Sequence, residues 1–459
     1  VIFSRGGKKM LLNFRFENFK SFENLAEFSM VTGKAKLHEQ NFYKANKFNY
    51  LKFSAMYGPN AGGKSSFVDA IGISQAMILS DLNVVATKDK YNKNNPENMS
   101  KPTSFEYEIL LDNKIYTYGF SMLMNKKRVI SEYLLDITNA KTLDDGIEIF
   151  IRSEENGIQY INVNFDYLCV DKNTETRINV YMEDLESTTL FLKSLNTKKK
   201  TIKSKLSKET ILEDIFNWFE NTLEVISPDG TTKSYNLTYL DEEYLLTLGE
   251  YLQAFDTGVR KVRFERSTEE ALKIPVKIRE KVLEKITLDI KKDNDTGVLI
   301  RTNSNIFRIE LEDEEELRID EIRFVHNSDT ISYSLEEESD GTRRIIDIFT
   351  ILLGENDKVY IIDELDRSLH PNLTYNFVQQ FLMNTSNSQL IVTTHEDRLL
   401  DLNLLRRDQI WFVERNETGN SELYSLEEYK VRFDKDILKE YLSGRYGSVP
   451  KFNFLFDVM

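Results

Sequence analysis

The spacing of apolar and polar positions changes period several times along this chain. NFRFENFKSF, Asn13 to Phe22, alternates Phe14 and Phe16 with polar neighbours before it reaches Phe19 and Phe22, the two-residue period of a half-buried strand. LKFSAMYG, Leu51 to Gly58, predicts a buried strand entering a glycine loop. Beyond Lys64 the period lengthens, and Phe67, Ala70, Ile71 and Ile78 fall at helical spacing. Thr87 to Ser104 is polar and broken by Pro96 and Pro102, which predicts an exposed loop. FEYEILLD, KIYTYGFSML and RVISEYLLD follow as strands separated by turn-like breaks, with IEIFIRS and YINVNF as extensions of the same sheet.

From about Asp171 to Ile290 helical spacing dominates, in TTLFLKSLN, ILEDIFNWFENTLEVI and IREKVLEKITLDI. No heptad pattern persists long enough for an extended coiled coil. Strand patterns return at GVLIRT, NIFRIELED and IRFVH. After the helical run RRIIDIFTILLG, strand and helix alternate: KVYIID, a helix from about Asn372, SQLIVTTH, a short helix and QIWFVER. That alternation predicts a parallel α/β sheet. There is no internal repeat.

Composition narrows the setting. With 459 residues, 41% of them hydrophobic, the chain can bury a large core, and two or three domains are expected. A net charge of −15 argues against coating nucleic acid non-specifically, although a local basic groove stays open. Cys169 is the single cysteine, so no internal disulfide forms, and a reducing cytoplasm is expected. One cysteine and four histidines argue against a Cys/His zinc cluster. No apolar run approaches the ~20 residues of a membrane span, and VIFSRGGKK lacks the apolar stretch of a signal peptide; residues 1–9 read as an added remnant or an upstream start, with Met10 as the natural beginning. Glu312 to Glu316 reads as a solvated turn or an acidic contact surface. Lys198, Lys199, Lys200, Lys203 and Lys205 read as a solvated segment or a contact for nucleic acid or an acidic partner.

Candidate chemistry begins at Gly58-Pro-Asn-Ala-Gly-Gly-Lys-Ser65, which fits G-x-x-x-x-G-K-[ST] between a predicted strand and a predicted helix. Such a loop folds into a nest of backbone N–H groups, and the following helix presents its positive end to the same anion. Asn60, Gly62, Gly63, Lys64, Ser65 and Ser66 are the candidate nucleotide-binding residues, with the Lys64 charge at the β and γ phosphates and the Ser65 hydroxyl on Mg²⁺. Asp363 ends the apolar strand KVYII and is the second candidate metal ligand; Glu364, next to it, is the candidate general base. His395 ends another apolar strand, where it could reach a γ-phosphate or the attacking water, whereas His370, before Pro371, suits a cap. Ser339-Asp-Gly-Thr342 is a second loop feeding a helix N-terminus, which serves either an anion or an ordinary N-cap at Ser339 or Asp340.

The order of glycine loop, S-x-G signature, Asp-Glu strand end, Leu-Asp and strand-end His resembles the ABC-type ATPase head of the soluble branch that includes SMC, RecF and OLD ATPases. The resemblance implies an α/β fold, a mixed sheet flanked by helices, with an inserted and mainly helical lobe: residues 10–165 and 320–459 as the head and 166–319 as the lobe. It implies ATP and Mg²⁺ as ligands and a homodimer, or a higher oligomer of dimers. In such a dimer Ser339, Gly341 and Thr342 of one copy face the nucleotide of the other, and Asp366 lines the seam. NFKSF, Asn18 to Phe22, matches the branch's N-terminal strand and makes Lys20 a candidate for approaching the nucleotide. RRDQIWFVER, Arg406 to Arg415, and SGRYGSVP, Ser443 to Pro450, resemble segments of stand-alone AbiL/RloA-like ATPases of bacterial anti-phage systems. That implies a cytoplasmic ATP-driven switch acting on a separate toxin or nuclease effector, with a phage-derived trigger, no membrane, and nucleic acid not favoured. A DNA-maintenance ATPase and an ATP-stabilised scaffold are the alternatives. The chain departs from the transporter pattern at Ala61 and in reading SDGTR for the signature, and Gln159 and Asn196 are poor matches to a Q-loop glutamine. No TOPRIM-like nuclease segment is expected after His395.

Overall fold

A computed structural model describes residues 8–34, 37–45, 48–155, 157–197, 211–230, 242–293, 297–302, 304–312, 316–353, 357–429 and 437–446. The lysine cluster from Lys198 to Lys205, Asp313 to Glu315 of the acidic run, and Gly447 to Pro450 of the last motif lie outside the described residues. Two compact units divide the chain. The first comprises Val1–Pro228, Glu355–Leu365 and Val378–Met459; the second comprises Asp229–Gly354 and Asp366–Phe377.

The first unit holds two large sheets. One contains β1 (Lys9–Glu17), β2 (Ala26–Ser29), β6 (Thr103–Leu111), β7 (Lys114–Leu123), β8 (Arg128–Asp136), β9 (Ile147–Glu155) and β10 (Ile158–Val163). Its order is β10-β9-β8-β7-β6-β1-β2, with every neighbouring pair antiparallel. Phe14 and Phe16 on β1 point inward, fully buried, against Phe67 and Tyr107 or Phe22. The other sheet contains β5 (Phe53–Tyr57), β11 (Leu223–Ile226), β16 (Lys358–Ile362), β17 (Ser388–Thr393), β18 (Ile410–Arg415) and β19 (Ser421–Ser425). Its order is β11-β16-β17-β5-β18-β19; all are parallel except β19. Both faces of these strands are covered, which explains their near-continuous apolar runs. A small hairpin pairs β3 (Phe42–Lys44) with β4 (Asn49–Leu51). Gln389, on β17 and fully buried, joins the two large sheets: its Oε1 accepts from Leu11 N at 2.8 Å, and its Nε2 donates to Leu11 O and Leu51 O.

One local expectation differs from the structure and a second is refined by it. ILEDIFNWFENTLEVI was read as one helix, but the α-helix stops at Asn217, a π-turn covers Trp218–Thr222, and Leu223–Ile226 is β11, an edge strand parallel to β16. Short apolar runs fit either a buried helix or a buried strand; here the sheet edge decides, because β11 supplies the partners that β16 lacks on that side. Thr87–Ser104 exposes most of its residues, as a polar loop should, but it is also pinned at four positions. Thr87, Asn92, Asn98 and Thr103 are buried, and the amides of Asn92 and Asn98 bond to Asn18, Lys20, Glu23 and Asn420. Asparagines carry enough donors and acceptors to satisfy a buried loop backbone that has no ladder of its own.

Helices of the first unit cover these sheets: α1 (Lys64–Leu79), α2 (Lys172–Glu183), α3 (Phe191–Thr197) and α4 (Ile211–Asn217). Phe191, Leu192, Ile215, Trp218 and Phe219 join the core around Tyr107 and Tyr118. Residues 166–228 therefore belong with the first unit rather than with a separate lobe, and the segment 320–353 belongs with the second. That second unit is a mixed structure. An antiparallel sheet ordered β12-β15-β14-β13 is built from β12 (Lys261–Arg266), β13 (Gly297–Arg301), β14 (Ile306–Glu312) and β15 (Glu316–Val325). Leu283 and Ile286 of α6 (Val276–Asp293) pack on Phe307, Ile309 and Ile319. Tyr251 of α5 (Glu242–Ala254) meets Phe349 of α7 (Asp340–Leu353), ring centroids 4.7 Å apart.

Glu132 on β8 is fully buried and caps α3: Phe191 N and Leu192 N donate to its carboxylate at 2.6 and 2.9 Å, and Tyr118 Oη donates at 3.0 Å. Arg152, equally buried, lies 3.6 Å away. Glu132→Ala would leave that guanidinium without its counter-charge and two first-turn N–H groups without their acceptor, and should cost about 3–5 kcal/mol of unfolding free energy in denaturant titration. Burial raises the Glu132 carboxyl, and it does the same to Asp347 on α7. Burial pushes its carboxyl up to about 6 although Arg301 Nη2 lies 2.5 Å from Oδ1. An unfolded Asp titrates near about 3.9, so the folded state holds more protons across that window and loses stability as pH rises through it. Relative to Asp347→Asn, the wild type should lose on the order of 2 kcal/mol between about pH 4 and pH 7, read from paired denaturant titrations.

Candidate functional site

The glycine loop is set by three constraints. Strand β5 is buried along its length and delivers Gly58 at the carboxyl edge of the sheet. Ala61 and Gly63 both take positive φ, 62° and 128°, and Gly62 N donates to Pro59 O at 2.9 Å, closing a tight turn. Gly58 lies so close to β18 that a Cβ would come within 2.4 Å of the Val413 carbonyl oxygen, so no other residue fits there. α1 then begins at Lys64 with no side-chain cap and no acidic residue in its first turn. A first turn that carries no carboxylate of its own suits an anion at the positive dipole end. Lys64 is buried, with Nζ donating to Gly58 O at 2.7 Å and Pro59 O at 3.3 Å, so the ammonium is held over the loop. Gly62 and Gly63 are buried, Ser66 is half-buried, and Asn60 and Ser65 are exposed.

The parallel register brings the other residues of this unit to the same edge. β17 lies between β16 and β5, pairing Ile362 with Val392 and Thr393 with Met56. Asp363, Thr393 and Gly58 therefore sit at the ends of three neighbouring strands. Asp363 is buried, and its Oδ1 accepts from Thr393 Oγ1 at 2.5 Å. The same hydroxyl accepts from Glu364 N at 2.8 Å. Thr393 thus fixes both acidic residues, with Glu364 half-buried and held at φ 52°, a conformation disfavoured for a residue with a side chain. Leu365 N donates to Thr393 O, and Thr394 N to Met56 O. His395 is exposed at the end of β17. Among the described residues, no cluster of three or more His, Cys, Asp or Glu is placed to hold a metal by itself. The donor set of Ser65 and Asp363 fits a Mg²⁺ that takes its remaining ligands from phosphates and water.

The second unit carries Ser339, Gly341, Thr342 and Asp366. Ser339 caps α7: Thr342 N donates to its Oγ at 3.1 Å, and the two hydroxyls lie 2.8 Å apart. The cap is therefore Ser339 and not Asp340, which pairs with Arg343. The turn from Asp366 closes through Leu369 N to Asp366 O at 3.0 Å and rests against Gly341, where a Cβ would come within 2.9 Å of Ser368 O. The signature loop and the Asp366 turn are thus one packed element that requires glycine at 341. Arg367, next in the chain, pairs with Asp229 at 2.8 Å.

Other sequence candidates are placed elsewhere. Lys20 pairs with Asp69 on α1. His370 Nδ1 accepts from Asn372 N and so caps α8 (Pro371–Asn384). Gln159 lies on the edge strand β10, and Asn196 is buried with its Nδ2 donating to Leu192 O and Leu212 O, so neither is placed as a coupling glutamine. Sequence reasoning missed Thr393, although TTH at a strand end carried the signal. It also missed Ser421, whose hydroxyl donates to Gly62 O at 2.6 Å from 359 positions away, a contact with no local signature. No described helix is long and apolar enough to cross a membrane.

No curated protein matches the chain. Solved structures similar to it include an SMC head bound to the C-terminal winged-helix domain of ScpA (13% identity, 90% of this chain and 97% of that one, TM-score 0.37). The SMC head domain from Thermotoga maritima matches at 13% identity over 90% and 98% of the two chains, TM-score 0.33. The Pyrococcus furiosus Smc head with an extended coiled coil, bound to the C-terminal domain of ScpA, matches at 14% over 92% and 97%, TM-score 0.34. Likeness at this level assigns neither partner nor activity. A family model described as "AAA domain, putative AbiEii toxin, Type IV TA system" matches residues 53–401, from the first residue of β5 to just past the end of β17, and the chain belongs to this AAA-domain family.

Proposed function

We propose that this protein binds ATP with Mg²⁺ at the Gly58–Ser65 loop and hydrolyses it as a nucleotide-driven switch. The observation that carries the reading is the tie through Thr393, at the end of the strand between β16 and β5, which holds Asp363 and Glu364 at the sheet edge where the glycine loop begins. Asn60, Gly62, Gly63, Lys64, Ser65 and Ser66 embrace the phosphates. Ser65 and Asp363 would hold Mg²⁺, which neutralises phosphate charge when bound. Glu364 takes the proton of the attacking water, and His395 contacts the γ-phosphate side. Ser339, Gly341, Thr342 and Asp366 act on the nucleotide of a second copy, so ATP closes a dimer and hydrolysis reopens it. The switch drives a separate toxin or nuclease effector in anti-phage defence. The family description, which names a putative AbiEii toxin, supports that setting, and the resemblance of Arg406–Arg415 to segments of AbiL/RloA-like ATPases is in keeping with it.

Purified wild type should hydrolyse ATP. Glu364→Gln should lower kcat by roughly 100-fold or more with little change in Kd, whereas Lys64→Ala should weaken ATP binding by about tenfold or more. Hydrolysis by wild type no faster than by Glu364→Gln would sink the catalytic assignment. ATP should convert the Glu364→Gln variant to a stable dimer by light scattering, and Ser339→Arg placed in the same chain should abolish that conversion. Dimerisation that ignores Ser339→Arg would remove the trans role of the signature.

A further inference from the structure

The β18–β19 turn lies outside every sequence motif, yet it touches the glycine loop at its most constrained point. Ser421 is buried, and its Oγ donates to Gly62 O at 2.6 Å. In a trans peptide the carbonyl of one residue and the N–H of the next point to opposite sides. Tying the Gly62 carbonyl to Ser421 therefore turns the Gly63 N–H the other way, away from β19 and toward the concave side of the loop. Gly63, at φ 128°, accepts this orientation because it has no Cβ; one built there would lie 2.5 Å from Ser421 Oγ.

Ser421 is itself held firmly. Its N–H donates to Ser21 O at 2.7 Å. Its neighbour Asn420, also buried, donates through Nδ2 to Glu23 Oε2 at 2.5 Å and accepts on Oδ1 from Asn92 Nδ2 at 3.0 Å and Asn94 Nδ2 at 2.5 Å. Segments remote in sequence, residues 18–23 and 87–104, thus converge on the Asn420–Ser421 pair. The anchoring of the Thr87–Ser104 loop has a consequence here: Asn92 and Asn94 fix Asn420, next to Ser421.

We infer that Ser421 is a positioning residue for phosphate binding, setting the plane of the Gly62–Gly63 peptide so that the Gly63 N–H is aimed at the anion before ligand arrives. The inference rests on the reading of Gly58–Ser65 as the nucleotide site. Preorganised donors cost no reorientation on binding, so loss of the hydroxyl lowers phosphate affinity without removing any ligand contact of its own.

The test is calorimetric titration of wild type, Ser421→Ala and Ser421→Thr with Mg²⁺–ATP and with inorganic tripolyphosphate, alongside thermal melting. Ser421→Ala should weaken both ligands by about tenfold, by the same factor for each because the change lies at the phosphates, with little shift in melting temperature. Ser421→Thr keeps the hydroxyl on a strand that tolerates a β-branched residue and should recover most of the affinity. Equal affinity of wild type and Ser421→Ala, or a lowered melting temperature with affinity unchanged, would overturn the inference while leaving the nucleotide site intact. Failure of wild type to bind either ligand would instead overturn the reading of the loop, and the inference with it.

Discussion

Everything at the candidate site depends on the register of one parallel strand. β17 separates β5 from β16, so the loop after β5 and the acids after β16 never meet through direct strand pairing. What relates them is the carboxyl end of β17, where Thr393 pairs in register with Met56 on one side and its hydroxyl bonds Asp363 and Glu364 on the other. A side chain's direction alternates along a strand, so a one-residue slip of β17 would turn Thr393 to the opposite face and break both bonds. The register is protected by Gln389, near the start of the same strand, whose amide is fully committed to Leu11 and Leu51.

Buried polar groups play the same organising part elsewhere in the first unit. Glu132 ends a helix inside the core, and the asparagines around Asn420 replace the missing ladder of a long loop. Each such group would carry a desolvation cost if unpaired, so each selects one arrangement of its neighbours. Apolar packing alone, around Phe14, Phe16, Phe67 and Tyr107, excludes water but tolerates many arrangements. The second unit follows the same logic on a smaller scale, where Gly341 lets the Ser368 carbonyl approach the start of α7.

Much of this was legible in the chain. Period-two alternation located β1 and β6 to β8, and glycine, lysine and serine at their fixed spacing located the loop, because those features are imposed by local geometry. The segment Trp218 to Ile226 was not, since a short apolar run has no period of its own and only the vacant flank of β16 makes it a strand. Thr87 to Ser104 was legible as an exposed loop but not as an anchored one. Prolines and polar residues mark a loop, but which of its residues are pinned depends on what its amides find nearby. The division of the chain at Asp229 was hidden as well, because helices from Lys172 onward look alike whether they pack on the first core or stand in a second unit.

By itself the sequence determined the local chemistry: a glycine loop able to turn at positive φ, an acid pair ending an apolar strand, a serine able to cap α7, and the strand and helix periods that carry them. Those properties belong to the residues and their near neighbours. Only the tertiary structure decided which groups hold that chemistry in place. Thr393 reaches Asp363 across a strand boundary, and Ser421 reaches Gly62 from the far end of the chain. Hydrogen bonds between segments this distant leave no periodicity to read; they exist because a parallel sheet and its last hairpin bring those atoms within reach.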